Sequence, residues 1–402
     1  MTKPEGFDFR PANDNEMAQV QRLGNYVFAS PPGDDNPSSP LLAQWTQCAF
    51  TGEKLAACSG IYPFIVRLNG NTTPMQGVTL VGTEPEFRRR GLVRQLITDL
   101  LHRGHEQEQS GSILLASRGA IYQRFGYGLA SIDARYEFDP KEAGLLNNEP
   151  AAGKLERMNK DDALPLASAV HKKFCQSRNM MAIRSAPVWD RYFADVAKDK
   201  AYCVVHFDEN DIADGYCIYT TKWDQTGNGH EMQWNDFAWT NIGAYRAIWT
   251  YLTSHDLVTK VTWDSAPEDD PAPGLLLEPR CVNRRTIDRL WYRIIDISAT
   301  LSARAYDCED RVVVQIINDD ICEWNNGSHE LATNHGDVSI TRTDKSPDIT
   351  ADINAYASLV SGFASATWLH ELGRISVSNQ NDLHRLDRLF ATRHRPGISF
   401  GF

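Results

Sequence analysis

The spacing of apolar residues in the first third of the chain alternates between a helical and a strand-like period. Apolar positions three and four residues apart form one clean helical face at Leu92, Val93, Leu96, Ile97, Leu100 and Leu101. Shorter apolar runs bounded by turn residues indicate strands. In chain order, the pattern predicts a helix at 16–28, strands at 54–59, 61–68 and 75–83, a helix from 92, a buried strand at 112–117, a short helix at 119–125 and an edge strand at 129–138.

A similar order of elements recurs from about residue 151. Helix, hairpin, strand, helix and strand patterns follow one another up to a turn-rich stretch, PEDDPAPG, at 267–274. A third alternation begins near Leu290 and ends in helix-like residues at 353–363. Because 402 residues are too many for one ordinary core, the sequence predicts several domains of mixed α+β and α/β type. We place them at 1–150, 151–289 and 290–402.

The composition is that of a globular protein with an acidic balance. Hydrophobic residues make up 42% of the chain, charged residues 23%, and the formal net charge is −11. Nucleic acid needs a basic face, so we expect no such partner, whereas a cationic substrate suits an acidic field. No apolar run is long enough to cross a bilayer, and residues 1–16 lack the apolar core of a signal peptide. We therefore expect no membrane association and a cytoplasmic location.

The cysteines and histidines give no sign of a metal site. The eight cysteines never form a C-x-x-C pair, and most lie in apolar or strand-like surroundings. That distribution is typical of reduced, buried thiols rather than of disulfides or zinc ligands. The histidines are scattered, with no H-E-x-x-H pairing. We expect no metal cofactor.

A basic loop, Arg88-Arg89-Arg90-Gly91, stands between a predicted strand and a predicted helix. The start of a helix leaves backbone N–H groups without intrahelical partners and carries partial positive charge. A glycine there lets the backbone approach a phosphate closely, and arginines pair with phosphate oxygens in fork geometry. In an acidic chain, this arrangement favours pyrophosphate binding; a solvated charge cluster is the alternative.

Two segments carry a resemblance to a known family. Val78 to Leu92, VTLVGTEPEFRRRGL, resembles the acetyl-CoA signature of GCN5-related N-acetyltransferases. Together with Ala116 to Ala130, ASRGAIYQRFGYGLA, it is similar specifically to the Eis (enhanced intracellular survival) acetyltransferases. The resemblance implies an N-terminal acetyltransferase domain, a central degenerate copy of it and a C-terminal sterol-carrier-protein-like α+β domain. The three predicted domains fit that plan.

The resemblance also implies which residues hold acetyl-CoA, the expected co-substrate. Strand backbone at Val81, Gly82 and Thr83 would hydrogen-bond the pantetheine arm. Further along, Ser117 and Arg118 would line the cofactor; because the family often has an acidic residue at the position of Arg118, a backbone contact is the safer role there. The pyrophosphate would be wrapped by Arg89, Arg90, Gly91, Leu92, Val93 and Arg94.

Acetyl transfer needs a proton for the departing thiolate and a base for the attacking amine. A tyrosine hydroxyl stays protonated at neutral pH, and the segment 121–128 offers Tyr122 and Tyr127. The residue types alone do not decide which of the two tyrosines is the general acid. The family pattern implies Tyr122. It also implies that the C-terminal carboxylate of Phe402 enters the site as general base, although its ordinary pKa of roughly 3.5 requires burial or a relaying water.

The family acetylates amines of small polycationic molecules, including aminoglycosides and polyamines, and some members act on peptide lysines. Pocket walls are expected from residues 20–50, and Gly401 offers an incoming ammonium no side-chain charge. The resemblance implies a homo-oligomer, a trimer or hexamer. Two other functions stay open, a non-catalytic acetyl-CoA sensor and a lipid carrier working through the C-terminal domain. The candidate pocket residues are Tyr26, Phe28, Asp34, Asp35 and Trp45, and the candidate oligomer contacts are Trp223, Trp234 and Trp239.

Overall fold

The structure is a computed structural model that describes residues 3–30, 41–146, 152–225, 227, 229–334 and 336–402. The strands are β1 Asp8–Arg10, β2 Thr46–Thr51, β3 Lys54–Leu68, β4 Asn71–Thr83, β5 Gly111–Leu115, β6 Gly128–Leu129, β7 Ile132–Phe138, β8 Lys154–Met158, β9 Tyr202–Phe207, β10 Ala213–Trp223, β11 His230–Trp239, β12 Val258–Pro267, β13 Asn283–Asp288, β14 Leu290–Ile294, β15 Asp310–Ile317, β16 Gly327–Asn334, β17 Asp337–Arg342, β18 Ile349–Asp352 and β19 Ile375–Val377. The α-helices are α1 Met17–Val27, α2 Leu92–Glu106, α3 Gly119–Gln123, α4 Lys160–Gln176, α5 Ala186–Phe193, α6 Ile242–Thr253, α7 Ala272–Leu275, α8 Ile297–Ala303, α9 Ile353–Val360, α10 Ala366–Glu371 and α11 Leu383–Phe390.

These elements form two compact units. The first consists of Met1–Ala130, Arg289–Thr392 and Phe400–Phe402, and the second consists of Ser131–Asp288 and Arg393–Ser399. Within the described ranges, no helix is long and apolar enough to span a membrane. The predicted domain boundaries at 150/151 and 289/290 remain predictions. The strands are distributed between the sheets in a way that does not follow these boundaries.

The first unit contains a sheet ordered β1-β2-β3-β4-β5-β14-β6. Strands β3 and β4 form a long antiparallel hairpin, and the parallel pair β4–β5 is joined through α2. The predicted apolar face of this helix is confirmed, because Leu92, Leu96, Ile97, Leu100 and Leu101 are buried. Two predicted strands at 54–59 and 61–68 are one continuous strand, β3, with a register shift between Cys58 and Gly60.

A second sheet in the same unit is ordered β17-β16-β15-β18-β19. Its helix α9 packs against β6 and β14 of the first sheet. The Asn354 side chain on α9 donates hydrogen bonds of 2.8 Å to the carbonyls of Gln123 and Tyr127, and Ser358 donates one of 2.7 Å to the carbonyl of Leu129. The C-terminal part of the chain therefore holds the segment that follows α3.

The second unit contains the sheet ordered β13-β7-β12-β11-β10-β9-β8. The predicted edge strand at 129–138 is interrupted after Leu129, and its main part, β7, is not an edge, because it lies between β13 and β12 with Tyr136 and Phe138 in the core. The prediction that Trp234 and Trp239 are surface aromatics is wrong, because both are buried in this core, whereas Trp223 is 67% exposed.

The core of the second unit contains a carboxyl group whose charge is disfavoured. Burial raises the pKa of Asp270 to about 7, although Tyr136, Tyr245 and the Ala272 backbone all donate hydrogen bonds to it. The folded state therefore keeps its proton up to about pH 7, whereas the unfolded chain loses it near pH 4. Between these values the unfolded state binds fewer protons, so stability falls as pH rises through this window.

We expect Asp270→Asn to remove this pH dependence. The melting temperature of the variant minus that of the wild type should increase by several degrees between pH 5 and pH 8, because an amide stays neutral throughout. Differential scanning fluorimetry at both pH values measures the difference. Asp264→Asn, at an exposed position of β12, is the matched control and should show no such trend. A constant offset for Asp270→Asn would contradict the expectation.

Candidate active site

A groove opens in the first unit where two parallel strands part. The β4–β5 ladder pairs Met75–Val78 with Gly111–Leu114 and goes no further. Beyond it, Leu80 has a left-handed φ of 51°, and Val81, Gly82 and Thr83 line the groove. A strand whose backbone leaves its partner can offer its N–H and C=O groups to a bound ligand, as an added strand would.

The opposite wall of the groove is the start of α2. Its N-cap is Gly91, which has a left-handed φ of 81° and provides no side-chain cap. The uncapped N–H groups and the helix dipole make this end a site for an anion. The guanidinium groups that line the groove add positive charge; they belong to Arg88, Arg89, Arg94 and Arg124.

The corresponding helix of the second unit lacks this character. The Asn241 side chain caps α6 by accepting a hydrogen bond from the Ala244 N–H, and it donates one of 2.7 Å to Asp214. Because the Asn241 side chain already caps this helix and lies beside the Asp214 carboxylate, a second anion at the same place is disfavoured. The second repeat therefore has the helix without the uncapped start, and its sequence there, Asn241 to Tyr245, contains no arginine.

The groove has a volume of about 620 Å³ and brings together most of the predicted cofactor residues. Arg90 instead lines a neighbouring cavity, and Arg118 is exposed outside the groove lining. Arg88 belongs to the predicted basic loop but was not among the residues that the resemblance implied, and sequence reasoning missed Arg124. The predicted residues that do line it are Val81, Gly82, Thr83, Arg89, Gly91, Leu92, Val93, Arg94, Ser117 and Tyr122.

The two candidate tyrosines have different surroundings. Tyr122 on α3 lines the groove and is 8% exposed, and burial raises the pKa of its hydroxyl to about 12. Tyr127 is fully buried, and its hydroxyl pairs with Ser112 at 2.7 Å in the interior. Only Tyr122 therefore presents a protonated hydroxyl to the groove.

The C-terminal residues pack beside the same strands. A Cβ built on Gly77 of β4 would lie 2.2 Å from the ring of Phe64 and 3.1 Å from the ring of Phe402, so only a glycine leaves room for the Phe64 ring. The rings of Phe402 and Phe64 are 4.9 Å apart between centroids. A Cβ built on Gly401 would lie 3.9 Å from Leu115, at the end of β5. The chain terminus thus lies near the point where β4 and β5 part.

Of the candidate pocket residues, Tyr26 and Phe28 are exposed at the end of α1, and Trp45 is half-buried against Tyr62. Asp34 and Asp35 lie outside the described residues.

Comparison with known proteins gives three family matches along the chain. Residues 8–130 and 180–294 each match a model described as an acetyltransferase (GNAT) domain, and residues 297–399 match a sterol carrier protein domain. An uncharacterized N-acetyltransferase of Streptomyces avermitilis is 25% identical, with 98% of this chain and 99% of that protein covered. N-acetyltransferase Eis of Mycobacterium tuberculosis is 26% identical over 79% of this chain and 78% of its own length.

The solved structures agree with this assignment. The crystal structure of Eis1 from Mycobacterium abscessus superposes with a TM-score of 0.85 at 25% identity, covering 98% of this chain and all of that one. A GCN5-related N-acetyltransferase from Anabaena variabilis has the same fold, with a TM-score of 0.87 at 23% identity over 98% of this chain and all of that one. The chain belongs to the Eis-like N-acetyltransferases.

An Eis-like enzyme is an acyltransferase, and GNAT acetyltransferases use acetyl-CoA. The residues of the groove suit such a co-substrate, because the uncapped start of α2, four arginines and Tyr122 all lie on its lining. Among the described residues, no cluster of three or more His, Cys, Asp or Glu side chains is arranged to hold a metal ion.

Proposed function

We propose that this Eis-like enzyme transfers the acetyl group of acetyl-CoA to a primary amine of a small cationic acceptor. The acceptor classes are aminoglycoside-like or polyamine-like molecules, or a lysine side chain. The observation that carries the proposal is the groove between β4 and β5, whose lining contains both the uncapped start of α2 and Tyr122.

Each wall of the groove has a role in this proposal. Backbone groups of Val81–Thr83 hold the pantetheine arm as an added strand, and the loop and helix start at Arg89–Arg94 hold the pyrophosphate. Ser117 lines the arm further along, and Arg118 contributes its backbone. Arg88 and Arg124 join the set because their guanidinium groups line the same groove.

In the proposed chemistry, the neutral amine nitrogen forms a bond to the thioester carbonyl carbon, and the carbon–sulfur bond breaks. Tyr122 donates its hydroxyl proton to the departing sulfur. With a pKa near 12, this phenol is protonated at every physiological pH and is ready to donate.

The proton lost by the amine goes to the C-terminal carboxylate of Phe402, directly or through one water. An ordinary α-carboxyl has a pKa of roughly 3.5, so its strength as a base depends on its surroundings. The packing of the Phe402 ring against Gly77 and Phe64 supports this role, because it holds the terminal residue at the edge of the site.

The sterol-carrier-like part is assigned a scaffolding role rather than lipid transport. Its helix α9 holds the segment just after α3 by three side-chain hydrogen bonds, at Gln123, Tyr127 and Leu129. Because α3 carries Tyr122, these bonds hold the backbone from which the proposed general acid extends.

The proposal is tested by thiol release from acetyl-CoA with Tyr122→Phe. We expect kcat to fall about 100-fold, the usual scale for a positioned acid, with little change in the dissociation constant of acetyl-CoA. Tyr127→Phe is the matched control, because its hydroxyl pairs with Ser112 in the interior; kcat should stay within about threefold of wild type.

If Tyr122→Phe keeps a normal kcat, the assignment of the acid is wrong. If the wild type releases no thiol with any amine while binding acetyl-CoA, the sensor alternative replaces the enzyme.

A second test concerns the anion site. We expect Gly91→Ala to raise the dissociation constant of coenzyme A about tenfold, because a left-handed alanine costs about 1–2 kcal/mol. The cost is conformational, since an added Cβ would meet only Pro4, at 3.7 Å. Gly91→Asn should lose less affinity for coenzyme A than Gly91→Ala, because asparagine adopts the left-handed conformation more readily.

Isothermal titration calorimetry with coenzyme A measures the affinities. Gly144→Ala, at a glycine with open space around it in the second unit, is the control and should bind normally. Normal affinity for Gly91→Ala would contradict the assignment of this loop to the pyrophosphate.

A further inference from the structure

The last residues of the chain belong to two different units. Residues 393–399, which we call the tail, are part of the second unit, whereas Phe400–Phe402 are part of the first. Within the tail, Pro396 and Ile398 are buried. Phe402 follows Ser399 by three residues, which span at most about 10 Å of extended chain. An anchor on Ser399 therefore limits the positions that the terminal carboxylate can reach.

The tail lies where two parallel strands of the second repeat part. The β11–β12 ladder ends at the pair of Trp234 and Trp263, and a cavity beyond it is lined by both strands and by residues 395–399. In the first repeat, the corresponding parallel ladder, β4–β5, ends at the groove. The second repeat therefore has a segment of its own chain at the place where the first has its groove. The strand residues beyond the ladder that line this cavity are Asp236, Phe237, Ser265 and Pro267.

Side chains of the second unit hold the tail at Ser399. The Ser399 carbonyl accepts a hydrogen bond of 2.7 Å from a guanidinium nitrogen of Arg184 and one of 2.9 Å from the Tyr192 hydroxyl. The Ser399 hydroxyl lies 2.9 Å from Nε2 of His171. Because two donors share one carbonyl, and one of them is charged, the orientation of this peptide group is strongly constrained.

The guanidinium of Arg184 is itself held by a buried ion pair. It donates hydrogen bonds of 2.7 and 2.9 Å to the two carboxylate oxygens of Asp236, and the two side chains are 1% and 7% exposed. The Tyr216 hydroxyl donates a further bond of 2.6 Å to the same carboxylate. Bidentate pairing fixes the plane of a guanidinium group. The nitrogen that donates to the tail is therefore set in place by the strands of the second repeat.

We propose that the second repeat serves as a holder for the tail, with Arg184 and Tyr192 as positioning residues for the Phe402 carboxylate. This inference rests on the proposed acetyltransferase function and deepens it, because that carboxylate is the proposed base. The anchor at Ser399 restricts the conformations of the last three residues, so less order has to be gained before each proton transfer. Such placement matters because a displacement of about 1 Å can lower a rate about 100-fold.

We expect Tyr192→Phe to lower kcat for thiol release about fivefold, because the Ser399 carbonyl loses one of its two donors. The dissociation constant of acetyl-CoA should stay that of the wild type. Arg184→Gln combined with Asp236→Asn should lower kcat about tenfold or more, since the lost hydrogen bond is charge-assisted. The two changes are made together so that neither charge stays buried without its partner.

Tyr251→Phe in the same unit is the matched control and should keep the kcat of the wild type, because its hydroxyl lies 3.4 Å from that of Tyr219. A second comparison separates positioning from a general structural loss. In a chain extended by two glycines after Phe402, the carboxylate no longer stands at its native place. Tyr192→Phe should therefore lower kcat in the native chain but have no further effect in the extended chain.

Steady-state kinetics give kcat for each variant, and melting temperatures show that it is folded; if the double variant does not fold, Tyr192→Phe decides. A wild-type kcat in Tyr192→Phe would overturn the inference while leaving the acetyltransferase function intact. An equal loss in the native and the extended chain would also overturn it, because Tyr192 would then act by a route other than the carboxylate. If the wild type releases no thiol with any amine, the proposed function itself is wrong, and this inference with it.

Discussion

Two glycines added after Phe402 should lower kcat for thiol release by more than about 100-fold while leaving the fold intact. The extension moves the negative charge two residues away and puts a neutral peptide group where the proposed base stands. The terminal ring packs against Gly77 and Phe64, so the added residues must either leave the site or displace that ring. Steady-state kinetics, with circular dichroism to confirm folding, measure the effect.

The matched variant is Phe402→Leu, which keeps the terminal carboxylate and removes the ring. It should retain much more activity than the extended chain, because the base stays within reach of the amine. Full turnover by the extended chain would show that the carboxylate is not the base. An equal loss in both variants would show that the ring, rather than its carboxylate, is what the reaction requires.

The second large effect is expected at a buried ion pair in the first unit. An Arg293 nitrogen lies 2.6 Å from Asp319, and the two side chains are 0% and 2% exposed. Arg293 also donates to the carbonyl of Phe125 at 2.8 Å, and Asp319 accepts hydrogen bonds from the Cys322 N–H and the Asn325 side chain. The pair therefore joins β14 to the residues that follow α3 and to the loop before β16.

We expect Asp319→Ala to reduce the free energy of unfolding by about 3–5 kcal/mol, because it leaves the Arg293 guanidinium buried and uncompensated. For a unit of this size, the melting temperature should fall by about 10 °C. Differential scanning calorimetry measures the shift. Adding Arg293→Met to Asp319→Ala should recover part of the loss, because it removes the unpaired charge.

The control for that expectation is an exposed pair in the same unit. Arg374 and Asp352 lie 3.4 Å apart with 44% and 41% of their side chains exposed, so Arg374→Gln should cost less than about 1 kcal/mol. Similar losses at the buried and exposed positions would show that burial does not govern the strength of the Arg293–Asp319 pair.

The features that sequence reasoning predicted correctly are local in the chain. The apolar face of α2 follows from spacing within one helix, and the loop before it follows from consecutive residues. The different surroundings of Tyr122 and Tyr127 were not visible in the residues themselves, since both are tyrosines in one short motif. The structure separates them, because Ser112 on β5 engages the Tyr127 hydroxyl and the groove contains that of Tyr122.

Arg124 could have been found from the sequence, because it follows Tyr122 by two residues in the same motif. The misplacement of Trp234 and Trp239 has a different cause. Their strand, β11, is central in its sheet and flanked by β10 and β12. Buried Met232 and Trp234 alternate with exposed Gln233, so this alternation could have placed Trp234 in the core. The last four residues, 236–239, are all buried, so no alternation marks the position of Trp239.

The sequence by itself determined the apolar face of α2, the basic loop before it and the motif that carries Tyr122, because each depends on neighbouring residues. Only the tertiary structure decided which strands pair across the two repeats. Strand β7, from the end of the first repeat, pairs with β12 in the sheet of the second unit, whereas β14 takes the corresponding place beside β5 in the first sheet of the first unit. A strand pattern specifies a pleated, partly buried segment but not its partner, because pairing is decided by contacts far apart in the chain. The packing of Phe402 against Gly77 could not be predicted from the sequence for the same reason, because 324 residues separate the two along the chain and no local pattern links them.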